Sequence, residues 1–451
     1  MKKILIANRG EIALRIIKTC KRLGIATVAV YSEADRDMPF VKEADEAFLL
    51  GNAPVKESYL KADDIVQLAV QTGADAIHPG YGLLSEKADF VRKIEKAGIR
   101  FIGPDAATIE KMGDKIGSRV TMQQAGVPVI PGTDKGVGTL EEALQSAPSI
   151  GYPLMLKASA GGGGIGMVRC ENEQALSQHF NSVKARAKAY FGDDVVFLEK
   201  FIADARHIEV QIFGDHYGNI VHLHERNCSV QRRNQKVIEE APSPRLADDV
   251  RGRLHEAAVR AAKAVNYKNA GTVEFIVDEN DEFYFLEMNT RLQVEHPVTE
   301  KVMGYDLVEW QIEVAKGNQL PESDQSKMGV NGHAIEYRIY AEDPVKFLPS
   351  PGIIQRLDWG QLDDVRIDSG YVEGGRVTPF YDPLIAKVIV YASTREEAID
   401  KSREFLTNVK VEGIKTNVPF FNQFIQTDEF ISGKYTTNVL NHFQLTAKGE
   451  I

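Results

Sequence analysis

Cysteine is scarce in this chain: only Cys20, Cys170 and Cys228 occur in 451 residues, with no paired spacing and no CxxC. That excludes a disulfide framework and a cysteine-ligated zinc site, and it is the usage of a reducing compartment. Long apolar runs are missing too. No stretch approaches the ~18 residues that a bilayer crossing needs. The opening MKKILIANRG breaks its apolar run at Asn8 and Arg9, so it reads as a strand rather than a signal peptide. The protein is therefore expected in the cytoplasm, with no membrane partner. Positive charge is in deficit: 54 Lys and Arg against 64 Asp and Glu leave a net charge of -10, which excludes a general nucleic-acid binder. GxGxxG is absent after the first strand, where NRGE stands, and KASAGGGGIGM lacks the GK[ST] ending of a phosphate loop. Neither a dinucleotide fold nor a P-loop NTPase is signalled. There are no internal repeats and no low-complexity segments.

At a soft ~150 residues per domain, the length suggests about three domains. The first stretch alternates strand and helix patterns: KKILIA, EIALRIIKTCKRLG closed by Gly24, IATVAVY, DIVQLAVQTG, ADAIHPG, EKADFVRKIEKAG and IRFIGP. Such alternation predicts a parallel sheet. From about Pro131 to Phe201 the texture changes to a small α+β unit around GYPLMLKASAGGGGIGMVRC and DVVFLEKFI. The remainder is strand-rich (HIEVQIFGD, GNIVHLHERN, GTVEFIVD, EFYFLEMNTR, HAIEYRIYAED, PLIAKVIVYA), with helices expected over 245–266, 305–316 and 395–408.

Four successive glycines follow Lys157 by a short interval. Their amides can wrap phosphate oxygens because no Cβ blocks approach, and Lys157 is placed to add a point charge; the plainer alternative is a flexible hairpin. Thr272 to Pro297 reads as a hairpin around the turn DEND. Antiparallel pairing brings Glu274 beside Glu287, with Asn289 two residues on and facing the same way. Two carboxylates and an amide oxygen make a hard-oxygen site suited to Mg²⁺ on nucleotide phosphates. The competing reading is strand ends meeting solvent, against which stands the cost of burying Glu287 behind FYFL without a cation.

In NTRLQVEHP, Arg291, Gln293 and Glu295 alternate, so an extended segment points all three one way. A guanidinium, an amide and a carboxylate together suit a planar oxyanion and a base. ERNCSVQRRNQKVIEEAP concentrates Arg226, Arg232, Arg233 and Lys236 in an acidic protein, as a solvated loop or an anion site. Cys228 within it has no base assigned by spacing and reads as a buried, inert thiol. His222 and His224 have the spacing of a metal pair, but no third ligand is spaced with them, so no metal site is expected there. His207 either contacts a ligand or packs, and His78 ends a strand before a proline turn.

Taken in order, NRGEIALRI, HPGYGLLSE, KASAGGGGIGM, CSVQRRNQKVIEEAPSP, EMNTRLQVEHPVTE, FLPSPG and EGIKTNV closely resemble the biotin carboxylase family over essentially the whole chain. The resemblance implies a mixed α/β and α+β ATP-grasp fold. It places a Rossmann-like N-terminal domain at 1–113, a linker at 114–130, and a lid bearing the glycine loop at 131–201. The rest of the ATP-grasp unit and the family's C-terminal domain follow at 202–446. The implied activity is a carbon–nitrogen ligase using ATP, Mg²⁺ (or Mn²⁺) and bicarbonate. Bicarbonate attacks the γ-phosphate to give carboxyphosphate, which releases CO₂ for capture by the biotin ureido nitrogen.

By the same resemblance, Lys115 and Lys157 go to ATP phosphates, with Gly162, Gly163 and Gly164 closing over them. Glu199, Lys200 and Ile202 border the adenine, and His207, Gln231 and Asn234 lie near the nucleotide. Glu274 and Glu287 carry the metals, with Asn289 beside them. Lys236, Arg291, Gln293 and the Val294 amide hold bicarbonate. Glu295 is the general base, Arg338 stabilises the biotin enolate oxygen, and Tyr81 and Gly82 lie by the biotin. Asn234 stands where many members have histidine, and Ile165 where a basic residue is frequent.

No AMKM biotin-attachment sequence and no carboxyltransferase-sized extension is present. The expected partners are therefore a separate biotin carboxyl carrier protein and carboxyltransferase subunits, in the first half-reaction of an acetyl-CoA or other acyl-CoA carboxylase. The family implies a homodimer. Two other readings compete. One is a related carboxylase acting on another ureido compound such as urea. The other is a catalytically dead nucleotide-binding regulator, against which Glu274, Glu287, Glu295, Lys236 and Arg338 are all present.

Overall fold

The N-terminal alternation of apolar strands and amphipathic helices folds into a five-stranded parallel sheet. The computed structural model describes residues 1–159, 166–443 and 445. Strand order across this sheet is Glu46–Gly51, Ala26–Ser32, Lys3–Ile6, Ala76–His78, Arg100–Phe101. The order reverses between Lys3–Ile6 and Ala76–His78, the point where open parallel sheets take ligands at their carboxyl edge. The HPGYG turn leaves the sheet there. Asn8 Nδ2 pins it by donating to the carbonyls of Pro79 at 2.7 Å and Tyr81 at 2.8 Å. Gly80 has φ +62°, and a Cβ on it would lie 2.9 Å from Asn8 Nδ2, so this approach needs glycine.

A small antiparallel sheet follows, in the order Met167–Cys170, Leu154–Ala158, Val196–Lys200. Helices Leu140–Ile150 and Glu173–Phe191 cover it, and Leu154, Leu156, Leu176, Phe180, Val196 and Leu198 form its own core. Helix Leu140–Ile150 is additional to the sequence reading, although Thr139 and Glu142 form the capping box that marks such a start. The segment taken as a linker, 114–130, carries helix Lys115–Gln124, capped by Asp114; its weak apolar periodicity hid it.

The third layer is an eight-stranded antiparallel sheet: Phe283–Asn289, Asn269–Val277, Arg206–Gly214, Ile220–Arg232, Gln235–Ala241, His333–Tyr340, Leu384–Ala392, Val365–Ser369. The three expected helices are observed at Asp248–Ala264, Leu307–Lys316 and Arg395–Asn408. Among the described residues no helix is long and apolar enough to cross a membrane. One expectation is corrected. Residues 290–295 do not extend the strand; it ends at Asn289, and helix His296–Met303 begins with Pro297 in its first turn. Proline is pre-set for that position and has no N–H to offer a sheet.

Buried charges make the fold sensitive to acid. Glu240 accepts from His333 Nε2 at 2.6 Å and Arg395 Nε at 2.7 Å. Burial opposes its charge, yet His333 and Arg395 hold its carboxyl at about 2, from an ordinary 4.5. Burial pushes His78 from 6.5 down to about 3. Both groups bind protons more readily in the unfolded chain. Their stabilisation is complete above the unfolded pKa and is lost as pH falls through the folded one. Urea denaturation across pH should therefore show stability flat near neutrality. It should then fall as His78 and Glu240 are forced to protonate, each contributing on the order of 3 kcal/mol. A profile level down to pH 3 would refute this.

Candidate functional site

Cross-strand register builds the site. Glu287 pairs with Glu274, Glu274 with Glu209, and Glu209 with Arg226, so four charged side chains form one row on one face of the eight-stranded sheet. The expected pairing of Glu274 and Glu287 is thus observed, with the 278–282 turn closed by Asp278.

Lys236, on the neighbouring Gln235–Ala241 strand, reaches into the row. Its Nζ donates to Glu209 Oε2 at 2.5 Å, Glu295 Oε1 at 2.7 Å and Glu274 Oε1 at 2.8 Å. Burial disfavours its charge, but those three carboxylates hold it well above the usual lysine range. Glu295 is bracketed by cations: Lys236 on Oε1, and Arg338 Nη2 at 2.9 Å on Oε2. Against the effect of burial, Lys236, Arg338 and Arg226 hold its carboxyl well below the ordinary range, so it is ionised. Arg338 also lies 2.5 Å from Glu239 Oε1, while its Nε is buried with no hydrogen-bond partner among the described residues. Burial pushes Glu239 up to about 7, with Arg338 opposing.

Glu274 has partners on both of its oxygens. Besides Lys236, Oε1 accepts from Gln293 Nε2 at 2.6 Å and Asn289 Nδ2 at 2.8 Å, and Oε2 lies 2.7 Å from His207 Nε2. Gln231 Nε2 sits 2.7 Å from His207 Nδ1. Asn289 turns its Oδ1 to Arg291 Nη2 at 2.9 Å, and Arg291 Nε donates to Glu86 at 2.9 Å. Glu287 differs from Glu274. Burial and the facing Glu274 raise it above the usual carboxyl range, with Lys115 opposing, and it has no hydrogen-bond partner among the described residues. A carboxylate so destabilised beside another is what a divalent cation relieves, and the donor set of Glu274, Glu287 and Asn289 is hard oxygen, so the residues fit Mg²⁺.

The 290–295 segment acts as a connector and not as a strand. His296 Nδ1 lies 2.8 Å from the Gln293 carbonyl, and Lys387 Nζ donates to the Val294 carbonyl at 2.9 Å. Gln293 and Glu295 point into the network, whereas Arg291 is drawn to Glu86. Lys387 also lies 3.2 Å from Glu11, whose other oxygen accepts from the Tyr81 hydroxyl. Tyr81, at the parallel sheet's switch point, is thereby joined to this segment, and Gly82 follows it in the same turn.

On the small sheet, Lys157 Nζ donates to Glu199 Oε2 at 2.6 Å. Burial and the charge of Lys157 lower Lys115, with Glu287 and Glu199 opposing. Lys200 is exposed at the strand end, and Ile202 is half-buried just beyond. Gly162, Gly163, Gly164 and Ile165 lie outside the described residues. Asn234 is exposed in the two-residue turn between Arg232 and Gln235, with φ +64° after Arg233 at +51°. Both left-handed positions mark a hairpin turn in which asparagine is favoured.

Three residues central to the network were not singled out as site residues. Arg226, wholly buried, donates to Glu209, Gln211, Thr299, Thr272 and Gln293. Glu209 was signalled by the alternation of His207, Glu209 and Gln211 in HIEVQIFG, and Lys387 by being the lone charge in PLIAKVIVYA. Cys228 is buried 4.0 Å from Glu295, and burial with Glu209 nearby pushes its thiol far up, so it is inert as expected.

Comparison with known proteins gives three family matches: biotin carboxylase, N-terminal domain, over residues 1–109; carbamoyl-phosphate synthase L chain, ATP binding domain, over 114–323; and biotin carboxylase C-terminal domain over 336–442. The biotin carboxylase of Halalkalibacterium halodurans is 56% identical over 445 residues, 98% of each chain. A solved biotin carboxylase complex with β,γ-ATP from Campylobacter jejuni superposes with TM-score 0.96 at 47% identity, covering 98% of this chain and 99% of that one. The biotin carboxylase domain dimer of Hydrogenobacter thermophilus 2-oxoglutarate carboxylase, in complex with MgADP, ADP and bicarbonate, superposes with TM-score 0.95 at 48% identity, covering 98% and 97%.

Proposed function

This chain belongs to the biotin carboxylase family, ATP-dependent ligases that form a carbon–nitrogen bond on biotin, and from that premise we propose how its own residues act. The substrate is biotin on a separate biotin carboxyl carrier protein, and carboxyltransferase subunits pass the carboxyl group to acetyl-CoA or another acyl-CoA. The working form is a homodimer, a reading supported by the dimer that the Hydrogenobacter thermophilus domain forms. The chain divides into a Rossmann-like domain at 1–113, a lid at 131–201 and a C-terminal catalytic part at 202–446. The observation that carries the reading is the continuous network joining Glu274, Glu209, Lys236, Glu295 and Arg338.

Glu274, Glu287 and Asn289 would hold Mg²⁺, which would supply positive charge against the ATP phosphates. Lys115 and Lys157 bind those phosphates, and Lys157 exchanges its Glu199 partner for them. Glu199, Lys200 and Ile202 border the adenine, with His207, Gln231 and Asn234 near the nucleotide. Lys236, Arg291, Gln293 and the Val294 N–H hold bicarbonate where Lys236 now spans three carboxylates. Glu295 takes the remaining bicarbonate proton as its oxygen attacks the γ-phosphorus, and ADP leaves. Carboxyphosphate then splits into CO₂ and phosphate, and phosphate accepts the biotin ureido proton. Arg338 stabilises the oxyanion so formed, and the ureido nitrogen bonds to CO₂. The unpartnered Nε of Arg338 leaves a buried donor for that oxygen. Tyr81 and Gly82 line the biotin side.

The test is ADP release from Mg-ATP and bicarbonate, with and without biotin. The expected result is bicarbonate-dependent turnover that rises with biotin, and a loss of about a hundredfold in the biotin-stimulated rate for Arg338→Ala. Turnover indifferent to biotin and stimulated by urea would overturn the assignment.

A further inference from the structure

The eight-stranded sheet has a second polar cluster on its opposite face. His222 and His224 stand on strand Ile220–Arg232, and His255 on helix Asp248–Ala264 packed against it. Strand alternation separates the two faces. Arg226 registers with Glu209 in the catalytic row, whereas His222 registers with Ile212 and Glu225 with Val210. Ile212 and Val210 belong to the apolar core under that helix.

One nitrogen from each of the three histidines lies within 4.8 Å of the others. His222 and His255 stack with ring centroids 4.1 Å apart, and His224 meets them edge-on at 5.2 and 5.1 Å. The third ligand missing from the sequence spacing comes from the helix, 31 residues beyond His224 by chain numbering (255 minus 224). The strand is irregular between His222 and Glu225, and His224 holds φ +59°, a left-handed conformation that a histidine adopts at a cost. A bulge of this kind re-aims a side chain.

The partners behind the rings set their protons. His224 Nε2 lies 2.8 Å from the Met328 carbonyl, which only accepts, so Nδ1 keeps its lone pair. His255 Nε2 lies 2.8 Å from Glu225 Oε2, again leaving Nδ1 free. Glu225 is itself fixed by Arg251 Nε at 2.9 Å and the Ser243 N–H at 3.1 Å. A carbonyl or carboxylate behind an imidazole is the usual support of a metal-ligating histidine. His222 Nδ1 is the accepting nitrogen of its ring, meeting the His224 N–H at a long 3.4 Å, so it too carries a lone pair. His222 and His224 are half-buried, which leaves a path from solvent.

We propose that His222, His224 and His255 form a binding site for one divalent transition-metal ion of the zinc class, with water in the fourth position. Three imidazoles and no carboxylate in the trio suit Zn²⁺, Co²⁺, Ni²⁺ or Cu²⁺ and not Mg²⁺. The ion ties helix Asp248–Ala264 to the strand that carries Arg226 and Gln231. It acts as a structural clamp behind the catalytic face.

The test titrates Co²⁺ into chelator-treated protein with Mg²⁺ in excess, reading the visible absorption of tetrahedral Co²⁺. One equivalent should bind, Zn²⁺ should displace it, and Zn²⁺ should raise the unfolding temperature. The band should vanish in His224→Gln and in His255→Gln, checked for folding by circular dichroism, and persist in Glu287→Gln. If His255→Gln fails to fold, the half-buried His224→Gln decides. Absence of the band in the native chain, or a band that survives the histidine changes or disappears in Glu287→Gln, would overturn the proposal.

Discussion

Glu295→Gln should fold normally and cut bicarbonate-dependent ATP cleavage by about 10² to 10⁴-fold, the range a positioned general base supplies. The substitution keeps size and one acceptor, but sets an NH₂ where a carboxylate oxygen now meets Lys236 at 2.7 Å or Arg338 at 2.9 Å. Since the lost interaction is proton transfer in the transition state, kcat and kcat/KM for bicarbonate should fall together. The cations that keep Glu295 ionised also weaken it as a base. On the mechanism proposed above, bicarbonate takes Lys236 into its own hydrogen bonds and so restores that basicity at the moment of use. Because Glu295 is held well below the ordinary carboxyl range, its own protonation should not set the acid limb of the free enzyme's pH profile. Steady-state kinetics with bicarbonate varied are decisive: a loss under tenfold would remove Glu295 from the role of base.

Arg226→Met should destabilise the protein by about 3–5 kcal/mol, the cost of breaking a buried ion pair from one side. The guanidinium is 0% exposed and donates at 2.5 Å to Glu209 Oε1, 2.8 Å to Gln211 and to Gln293, 2.9 Å to Thr299 and 3.2 Å to Thr272. Methionine fills most of the volume and satisfies none of these acceptors. Glu209 keeps Lys236 alone, and Gln293 loses what orients it toward Glu274. Urea unfolding should show a lower midpoint with little change in slope. Arg226→Lys should recover only part of the loss, because one ammonium cannot reproduce a planar fork. A change under about 1 kcal/mol would show that the network repacks without it.

How far each part could be read from the sequence follows from the range of the forces that place it. The parallel sheet, the hairpin around residues 278–282 and the pairing of Glu274 with Glu287 rest on period-two patterns and turn chemistry within a few tens of residues. NTRLQVEHP misled because its alternation also fits a connector, and Pro297 marked a helix start that the alternation outweighed. By sequence, Arg226 is one charge in a basic run that reads equally as a solvated loop or an anion site. Its burial is visible only once strands Arg206–Gly214 and Asn269–Val277, the 290–295 connector and helix His296–Met303 bring their acceptors to it, since no local pattern separates a buried arginine from an exposed one. Lys236 and Arg338 were linked to Glu295 by family resemblance alone, because spacing cannot bring together residues 59 and 43 positions apart.

By itself the amino-acid sequence determined the N-terminal parallel sheet, the strand and helix periods, the scarcity of thiols and the pairing of two carboxylates across one hairpin. Each is encoded in composition or in contacts between near neighbours. The tertiary structure decided which charges neutralise one another: the row Glu287, Glu274, Glu209, Arg226, the three-carboxylate grip on Lys236, and the arrival of His255 beside His222 and His224. Sheet register and helix packing set these, and both arise from burial summed over the whole chain. A charge's partner, protonation and chemistry depend on groups that only folding brings within reach.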